Sequence, residues 1–462
     1  MDLHWVGGAP AYHQYRPVSQ PATQHLDHIL RNGAILQRRW GNWPMQGWLR
    51  EMEELNLVRP QPHDRYLGET GTHHSPWGNG QAGAPHRMRA ENGKGYTLSM
   101  LTMGVEEEYL LLDRDGGLPV PRSRRVRALA DRMASVAEQE VEPELLQAQV
   151  EVGTPICESL QEVSESLVRL RGAVSAAAAR AGCRMAACGA APVRAAVPVP
   201  VTDKARYRAM SEDAPQLVDE QLINGMHVHV GVPDRDSGVG VLNRIRPWLP
   251  VLVALGANSP LWDGEDTGFA SWRTVVFDRW PVSGPPPAFK DAGDYQARTG
   301  VLVDAGAIMD RGQLYWLARL SERYPTIEVR ALDVQLEIQD AVTLAGIVRA
   351  LVATALRDHS QEAWLPDAPS ELMAAATWQA ARHGLDENLI DARTALPCTA
   401  TAAVGALLKH ITPALQKLGD LDQVTAGLEP ILSQGNGAQR QRRAFADGGL
   451  DGVLGLVTTQ GR

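Results

Sequence analysis

Four short segments place polar groups two residues apart among apolar neighbours. They are Gly104-Val105-Glu106-Glu107-Glu108-Tyr109, Gln149-Val150-Glu151-Val152, His227-Val228-His229-Val230 and Thr326-Ile327-Glu328-Val329-Arg330. A β-strand turns alternate side chains to opposite faces, so each segment read as a strand collects its functional groups on one side. Glu106, Glu108, Glu151 and Glu328 would then put up to four carboxylates on a common face, an arrangement that is costly unless cations neutralise it. Oxygen-rich donor sets suit Mg²⁺ or Mn²⁺, and the histidines of His227-Val228-His229 shift the balance toward Mn²⁺ or Zn²⁺. Arg330, on the same face as Glu328, has the planar fork that suits a phosphate or a carboxylate. Acidic metal ligands beside such a cation point to phosphoryl transfer from a nucleotide. No lysine-containing phosphate loop of the P-loop type is present, so the nucleotide must be held in another way.

Each segment alone also fits a plainer role. Three glutamates can open a surface helix, His-Val-His can be a half-buried edge strand, and Glu-Val-Arg can be an exposed ion-paired strand. Their coincidence in one chain favours a shared site. The residues alternating with them are mostly Val and Ile, which predicts a sheet with one apolar face covered by helices and one charged face open to chemistry.

The elements that would position this face can be read in part. Ile156, Leu160, Val163, Leu167, Leu170 and Val174 recur at helical spacing, predicting a helix that starts at Thr154-Pro155 and stops at Gly182. Such a helix can return over the apolar face of the strand before it. Ala-rich runs at 341–356 and 371–382 and a Leu-rich run at 401–419 predict a helical C-terminal part. No repeat of solenoid length occurs.

The first hundred residues differ from the rest, holding eight of the thirteen histidines and five of the twelve tryptophans. The histidines follow no ligand spacing. Between Pro60 and Gly95, eleven of 36 positions are Gly or Pro, as in a linker. Before it, residues 49–55 fit a short helix. The expected organisation is therefore an extension over 1–59, a candidate small module, a linker over 60–100, and a catalytic domain over 101–462.

At 462 residues and 44% apolar content the chain can bury a large core, and 21% charged residues with a net charge of −9 give no basic surface for nucleic acid. The four cysteines, Cys157, Cys183, Cys188 and Cys398, form no CxxC pair, and reduced thiols in a cytoplasmic protein are expected. No export signal and no stretch long enough to span a bilayer are expected.

The segments Gly104 to Tyr109, Glu151-Val152-Gly153-Thr154 and Asn224 to Gly231 resemble the carboxylate–amine ligases of the glutamate–cysteine ligase type 2 family. So do Ala257 to Trp262, Asp266 to Arg273, Ile327 to Asp333 and Ala381 to Leu385. The resemblance covers about residues 101–450. It implies an α+β fold, glutamine-synthetase-like: an antiparallel sheet curved into a funnel, with helices on its outer face. It also implies that ATP with Mg²⁺, or Mn²⁺ in its place, phosphorylates a carboxylate, that of glutamate in the family's usual reaction. An amine, usually cysteine, then expels phosphate. By position in the motifs, Glu106, Glu108, Glu151, His227 and Glu328 would be metal ligands, with Glu106, Glu328 and Arg330 the catalytic set and Arg330 the phosphate contact. Arg206, Tyr207, Arg273 and His229 would bind substrate or nucleotide, and a homodimer is the expected assembly. Small molecules, and neither nucleic acid nor a membrane, are the expected partners.

The chain departs from the family where Gly189-Ala190-Ala191-Pro192 stands in place of the common Thr-His-Pro. Any polar contact of that Thr-His pair is missing here. The rival readings are a metal-dependent amide hydrolase, which would use the same donors to activate water, and a ligand-binding protein without catalysis.

Overall fold

The computed structural model describes residues 101–458, Ala196 and Pro366 excepted. The short helix expected over 49–55 and the linker expected over 60–100 lie outside the described residues.

Seven strands form the main sheet: β1 (Met103–Leu112), β2 (Val141–Pro143), β3 (Gln149–Gly153), β4 (Arg184–Ala186), β5 (Gly225–Gly231), β6 (Ala318–Leu320) and β7 (Thr326–Asp333). Their order is β6-β7-β5-β1-β3-β2, with β4 also pairing β1, and every pairing is antiparallel. A register shift between Val329 and Leu332 interrupts the β7–β5 ladder, a bulge of the kind that bends a strand. All four polar segments are strands of this one sheet. The expected α+β architecture, an antiparallel sheet covered by helices, is what the chain adopts.

The helices used below are α1 (Leu160–Ala181), α2 (Ala205–Asp213), α3 (Arg235–Ile245), α4 (Trp272–Phe277), α5 (Ile338–Ser360), α6 (Ser370–His383) and α7 (Ala400–Leu418). Leu160, Val163, Leu167, Leu170 and Val174 of α1 are buried, as their spacing predicts, and Gly182 ends the helix in a left-handed conformation. Its start differs from the expected Thr154-Pro155. Ser159 caps the helix by accepting from the Glu162 backbone N–H, and the Glu162 carboxylate reaches back to the Glu158 N–H. Thr154 is occupied in closing the sheet, its hydroxyl accepting from the Val105 N–H at 3.0 Å, and Ile156 is left exposed.

An ion pair is buried on the apolar face of the sheet. Glu107 points away from the charged face and, wholly buried, receives two hydrogen bonds from Arg171 of α1 at 2.5 and 2.9 Å. Arg171 also donates to the carbonyls of Gln335 and Leu336, tying α1 to the chain beyond β7. Val105, Val228, Val230, Ile327 and Val329 alternate with the charged groups and join the main core with α3, α5 and α7. The helical C-terminal runs are α5, α6 and α7, at the expected positions.

One expectation needs correction. The helix α5, at 23 residues, is long and apolar enough by composition to cross a membrane, contrary to the expectation that no stretch is. Of its most apolar window, 94% is buried inside the protein, so its hydrophobic surface is consumed by packing against α1, α3 and α7.

Candidate active site

Strand register brings the polar segments together. Glu106 lies opposite His227 on β5, and Glu108 lies opposite Glu151 on β3. Glu328 on β7 lies between His229 of β5 and Arg319 of β6. Directly opposed residues in an antiparallel pair have Cβ atoms about 5 Å apart, so register alone suffices to build a cluster. These groups line a cavity of about 1170 Å³ together with Arg273, Arg330, Glu144 and the side chains of Arg206 and Tyr207 on α2.

Glu106 is the hub. Its carboxylate lies 3.2 Å from His227 Nδ1 and 3.4 Å from His229 Nε2. Burial pushes its pKa upward, but the two imidazoles overcome that and hold it well below the usual range. His227 is pushed down to about 4, first by burial and then by Arg330, and is therefore neutral at pH 7. Burial would lower the pKa of His229, but Glu106 outweighs that and raises it. Its Nδ1 contacts the Thr326 hydroxyl at 3.1 Å.

Glu328 receives two hydrogen bonds from Arg319, at 2.7 and 3.0 Å, and another from Arg330. Burial would raise its pKa, but Arg330 and Arg319 hold it far down. Glu108 accepts from the Gly225 N–H at 2.6 Å; burial raises its pKa, with Arg273 opposing. Glu151 is held well above the usual range by burial and then by Glu106, Glu144 and Glu108. Glu144 is raised to about 7 by burial and by Glu108. A site that crowds carboxylates until some retain their protons is electrostatically incomplete.

Two donor groups fit a divalent cation, Glu106 with His229 and Glu328, and Glu106 with Glu151 and His227; within each, one ligand atom per residue lies within 4.8 Å of the others. The buried Nε2 of His227 has no hydrogen-bond partner, as a nitrogen reserved for a metal would have. The donor set is mostly oxygen, which suits Mg²⁺ or Mn²⁺. Of the five ligands expected from sequence, Glu106, Glu151, His227 and Glu328 fall in these groups. Glu108 lies outside both, 3.9 Å from His227 Nε2. His229, expected as a substrate contact, falls inside one.

The remaining expected residues divide by depth. Arg330 is buried, and its Nε has no partner. Arg273, from α4, donates to the Arg330 carbonyl at 3.3 Å and stands over the Phe277 ring. Its position depends on Gly225, because a side chain there would overlap the Arg273 guanidinium. Arg206 stands at the rim, paired with Asp310, and the Tyr207 hydroxyl lies 3.5 Å from Glu144. Asn258 and Ser259 hold the turn ahead of α4 by donating to the buried Asp333, and Thr267 donates to the Pro260 carbonyl.

Sequence reasoning missed Arg319 and Glu144 in the cavity wall, whereas Gln149 lines it beside Glu151 as the alternation predicts. Arg319 sits between Ala318 and Leu320 in a three-residue strand, too short for its alternation to stand out. Glu144 ends an alternating run, Glu138, Glu140, Glu142, Glu144, which is a signal that could have been used.

An antiparallel sheet whose open face gathers carboxylates, imidazoles and arginines in one cavity has the donors of a metal-assisted transferase or hydrolase site. The model of the family described as Glutamate-cysteine ligase family 2 (GCS2) matches residues 102–457, and the chain belongs to that family. A protein of Salinispora arenicola named putative glutamate–cysteine ligase 2 is 44% identical over 370 residues, covering 80% of this chain and 97% of the relative. A protein of Rhodopirellula baltica with the same name is 38% identical, covering 78% and 96%. Among solved structures, a glutamate–cysteine ligase from Francisella tularensis in complex with AMP aligns with a TM-score of 0.60 at 12% identity, covering 77% of this chain and 87% of that one. A bifunctional glutathione synthetase from Pasteurella multocida aligns at 0.58 and 16% identity, covering 78% and 52%. At such identities the two structures speak for the fold.

Proposed function

We propose that the protein phosphorylates the side-chain carboxylate of glutamate with Mg²⁺-ATP and joins the resulting acyl group to an amine. Glutamate and cysteine are the substrates that the relatives' names suggest. The observation that carries the reading is the convergence of Glu106, Glu151, His227, His229, Glu328 and Arg330 in one cavity. Glu106 with His229 and Glu328, and Glu106 with Glu151 and His227, would hold divalent cations, Mg²⁺ or Mn²⁺. A cation there supplies charge neutralisation for the phosphates and for the phosphoryl group in transfer.

The chain's own residues supply the rest. Arg330 and Arg319 flank Glu328 as fixed positive charges, and the unpartnered Nε of Arg330 is a donor for a phosphoryl oxygen. In the first step a carboxylate oxygen forms a bond to the γ-phosphorus as the bond to ADP breaks. In the second the amine nitrogen bonds to the acyl carbon, phosphate leaves and the nitrogen loses a proton. Arg273, deep in the cavity, and Arg206, at its rim, would hold substrate or nucleotide. A cytoplasmic, homodimeric enzyme with a separate N-terminal extension completes the reading, the first on its cysteines, the second on the family resemblance and the third on composition.

The test is to incubate the protein with glutamate, Mg²⁺ and a panel of amines, with and without ATP, and to measure ADP and phosphate. ADP and phosphate formed together, dependent on both glutamate and amine, are expected. Product formed without ATP would indicate a hydrolase working in reverse and overturn the proposal.

A further inference from the structure

Arg273 reaches the cavity from α4, but the atoms that aim it lie behind the wall. Its backbone N–H donates to the Ser259 hydroxyl at 3.0 Å, and that hydroxyl donates in turn to Asp333 Oδ2 at 2.7 Å. The Asn258 N–H donates to the same oxygen at 2.8 Å. Asp333 Oδ1 accepts at 2.9 Å from Ser271, the residue whose side chain caps α4, and lies 3.9 Å from Arg273 Nη1. Both partners are buried, and of the two only Arg273 lines the cavity.

Two glycines make room for this pair. A side chain at Gly189 would meet the Asp333 carboxylate at 2.6 Å, and one at Gly225 would overlap the Arg273 guanidinium. The other contacts of the guanidinium are loose. Both terminal nitrogens share the Arg330 carbonyl at 3.3 Å, long for hydrogen bonds, and the Phe277 ring centre lies 5.5 Å away. The α4 helix has only six residues, too few to fix its own direction. Asp333 supplies what these contacts lack: a buried charge facing the guanidinium, tied through Ser259 and Ser271 to both sides of the helix start. It stands on β7, the strand that carries Glu328 and Arg330.

We propose that Asp333 is a positioning residue for the reaction: from outside the cavity it holds the Arg273 guanidinium in place against Glu328 and Arg330 of its own strand. The proposal rests on the ligase reading, within which Arg273 holds substrate or nucleotide. A misplacement of about 1 Å in such a group costs on the order of 100-fold in rate. A carboxylate that served only to close the loop ahead of α4 would need its hydrogen bonds but not its charge, and Asp333→Asn separates the two. The amide oxygen can keep the bonds from Asn258 and Ser259, and the Ser271 hydroxyl can accept from the amide nitrogen, but the charge that faces Arg273 is gone.

The test measures kcat and the KM values for ATP and glutamate by ADP release, with Mg²⁺ present and hydroxylamine as the acceptor, in the wild type, Asp333→Asn, Arg273→Gln and the double variant. Asp333→Asn should lower kcat/KM by about 10- to 100-fold and move the same constant that Arg273→Gln moves. Added to Arg273→Gln, it should cost less than about 2-fold more, because the group it positions is already gone. Ser259→Ala should follow the same pattern with a smaller loss, about 3- to 10-fold. An Asp333→Asn loss that is equal with and without Arg273, or that raises both KM values alike, would make Asp333 a general support of the fold and overturn the proposal. A lowered KM with kcat unchanged would show that Asp333 only balances charge, and would overturn it too; in either case the ligase reading stands. If Asp333→Asn does not fold, Ser259→Ala with and without Arg273→Gln decides by the same criterion. A wild type that forms no ADP with glutamate and hydroxylamine would remove the ligase reading and this proposal with it.

Discussion

Glu106 touches both imidazoles and belongs to both candidate cation sites, so it is the residue whose charge matters most. Glu106→Gln keeps the shape and deletes that charge. ATP-dependent turnover should fall at least about 100-fold with an unchanged circular dichroism spectrum, and wild-type turnover would remove Glu106 from the site. Glu151 and Glu144 carry a second prediction. Both pKa values are raised by burial and then by neighbouring carboxylates, that of Glu144 to about 7, so near neutrality a cation must displace the proton that Glu144 partly retains in the metal-free protein. Mn²⁺ affinity should therefore rise as pH increases from about 6 to 8, around the value near 7 for Glu144, with proton release seen by calorimetry in two buffers. The same raised pKa values make the metal-free fold lose stability as pH rises from the ordinary carboxylate range toward about 7, since the folded state then binds more protons than the unfolded chain. An affinity independent of pH would contradict the electrostatics given for these two groups. At this scale the sequence was informative where alternation is long enough to see, as in Glu106-Glu107-Glu108 and His227-Val228-His229. It was silent on Arg319, in a strand of three residues, and on the opposite pKa shifts of the two histidines, because those depend on Arg330 and Glu106 meeting across strands.

The elements act by register. Shifting β5 by one residue against β1 would turn His227 and His229 into the core, and the valines that alternate with them prevent that slip. The α1 helix is locked to the sheet by the buried pair Arg171–Glu107. Arg171→Met leaves Glu107 buried and unpaired and should cost about 3–5 kcal/mol in urea unfolding, while adding Glu107→Leu should recover much of the loss. A single variant as stable as wild type would show the pair to be dispensable. Gly225→Ala tests how β5 positions α4: its Cβ would displace the Arg273 guanidinium, and kcat/KM should fall by up to about 100-fold with little change in melting temperature. The helices were legible from their periodicity, and α1 was misplaced only at its start. Thr154-Pro155 looks like a start by residue type, but Thr154 is engaged with Val105 across the sheet, a contact that spacing does not reveal.

At the scale of the whole molecule, the family match begins at residue 102, and β1 begins at Met103. A chain starting at Met100 should fold and retain ATP-dependent turnover, because Leu101, whose carbonyl accepts from Arg349 at 2.9 Å, is still present. Failure of that chain to fold would assign the first hundred residues a structural role. The sheet's charged face and its helical cover were legible from alternation in β1, β3, β5 and β7. The apolar residues of the cavity wall were not, because Met210 and the Phe277–Trp280 turn lie far apart in the sequence and only the fold brings them together. The central claim is that a carboxylate is activated by phosphorylation in the Glu106–Glu328 cavity. It is tested most directly with glutamate carrying ¹⁸O in its side-chain carboxylate, ATP, Mg²⁺ and hydroxylamine, followed by mass spectrometry of the phosphate released. One ¹⁸O atom per phosphate is the expected result, and turnover that releases unlabelled phosphate would contradict the account.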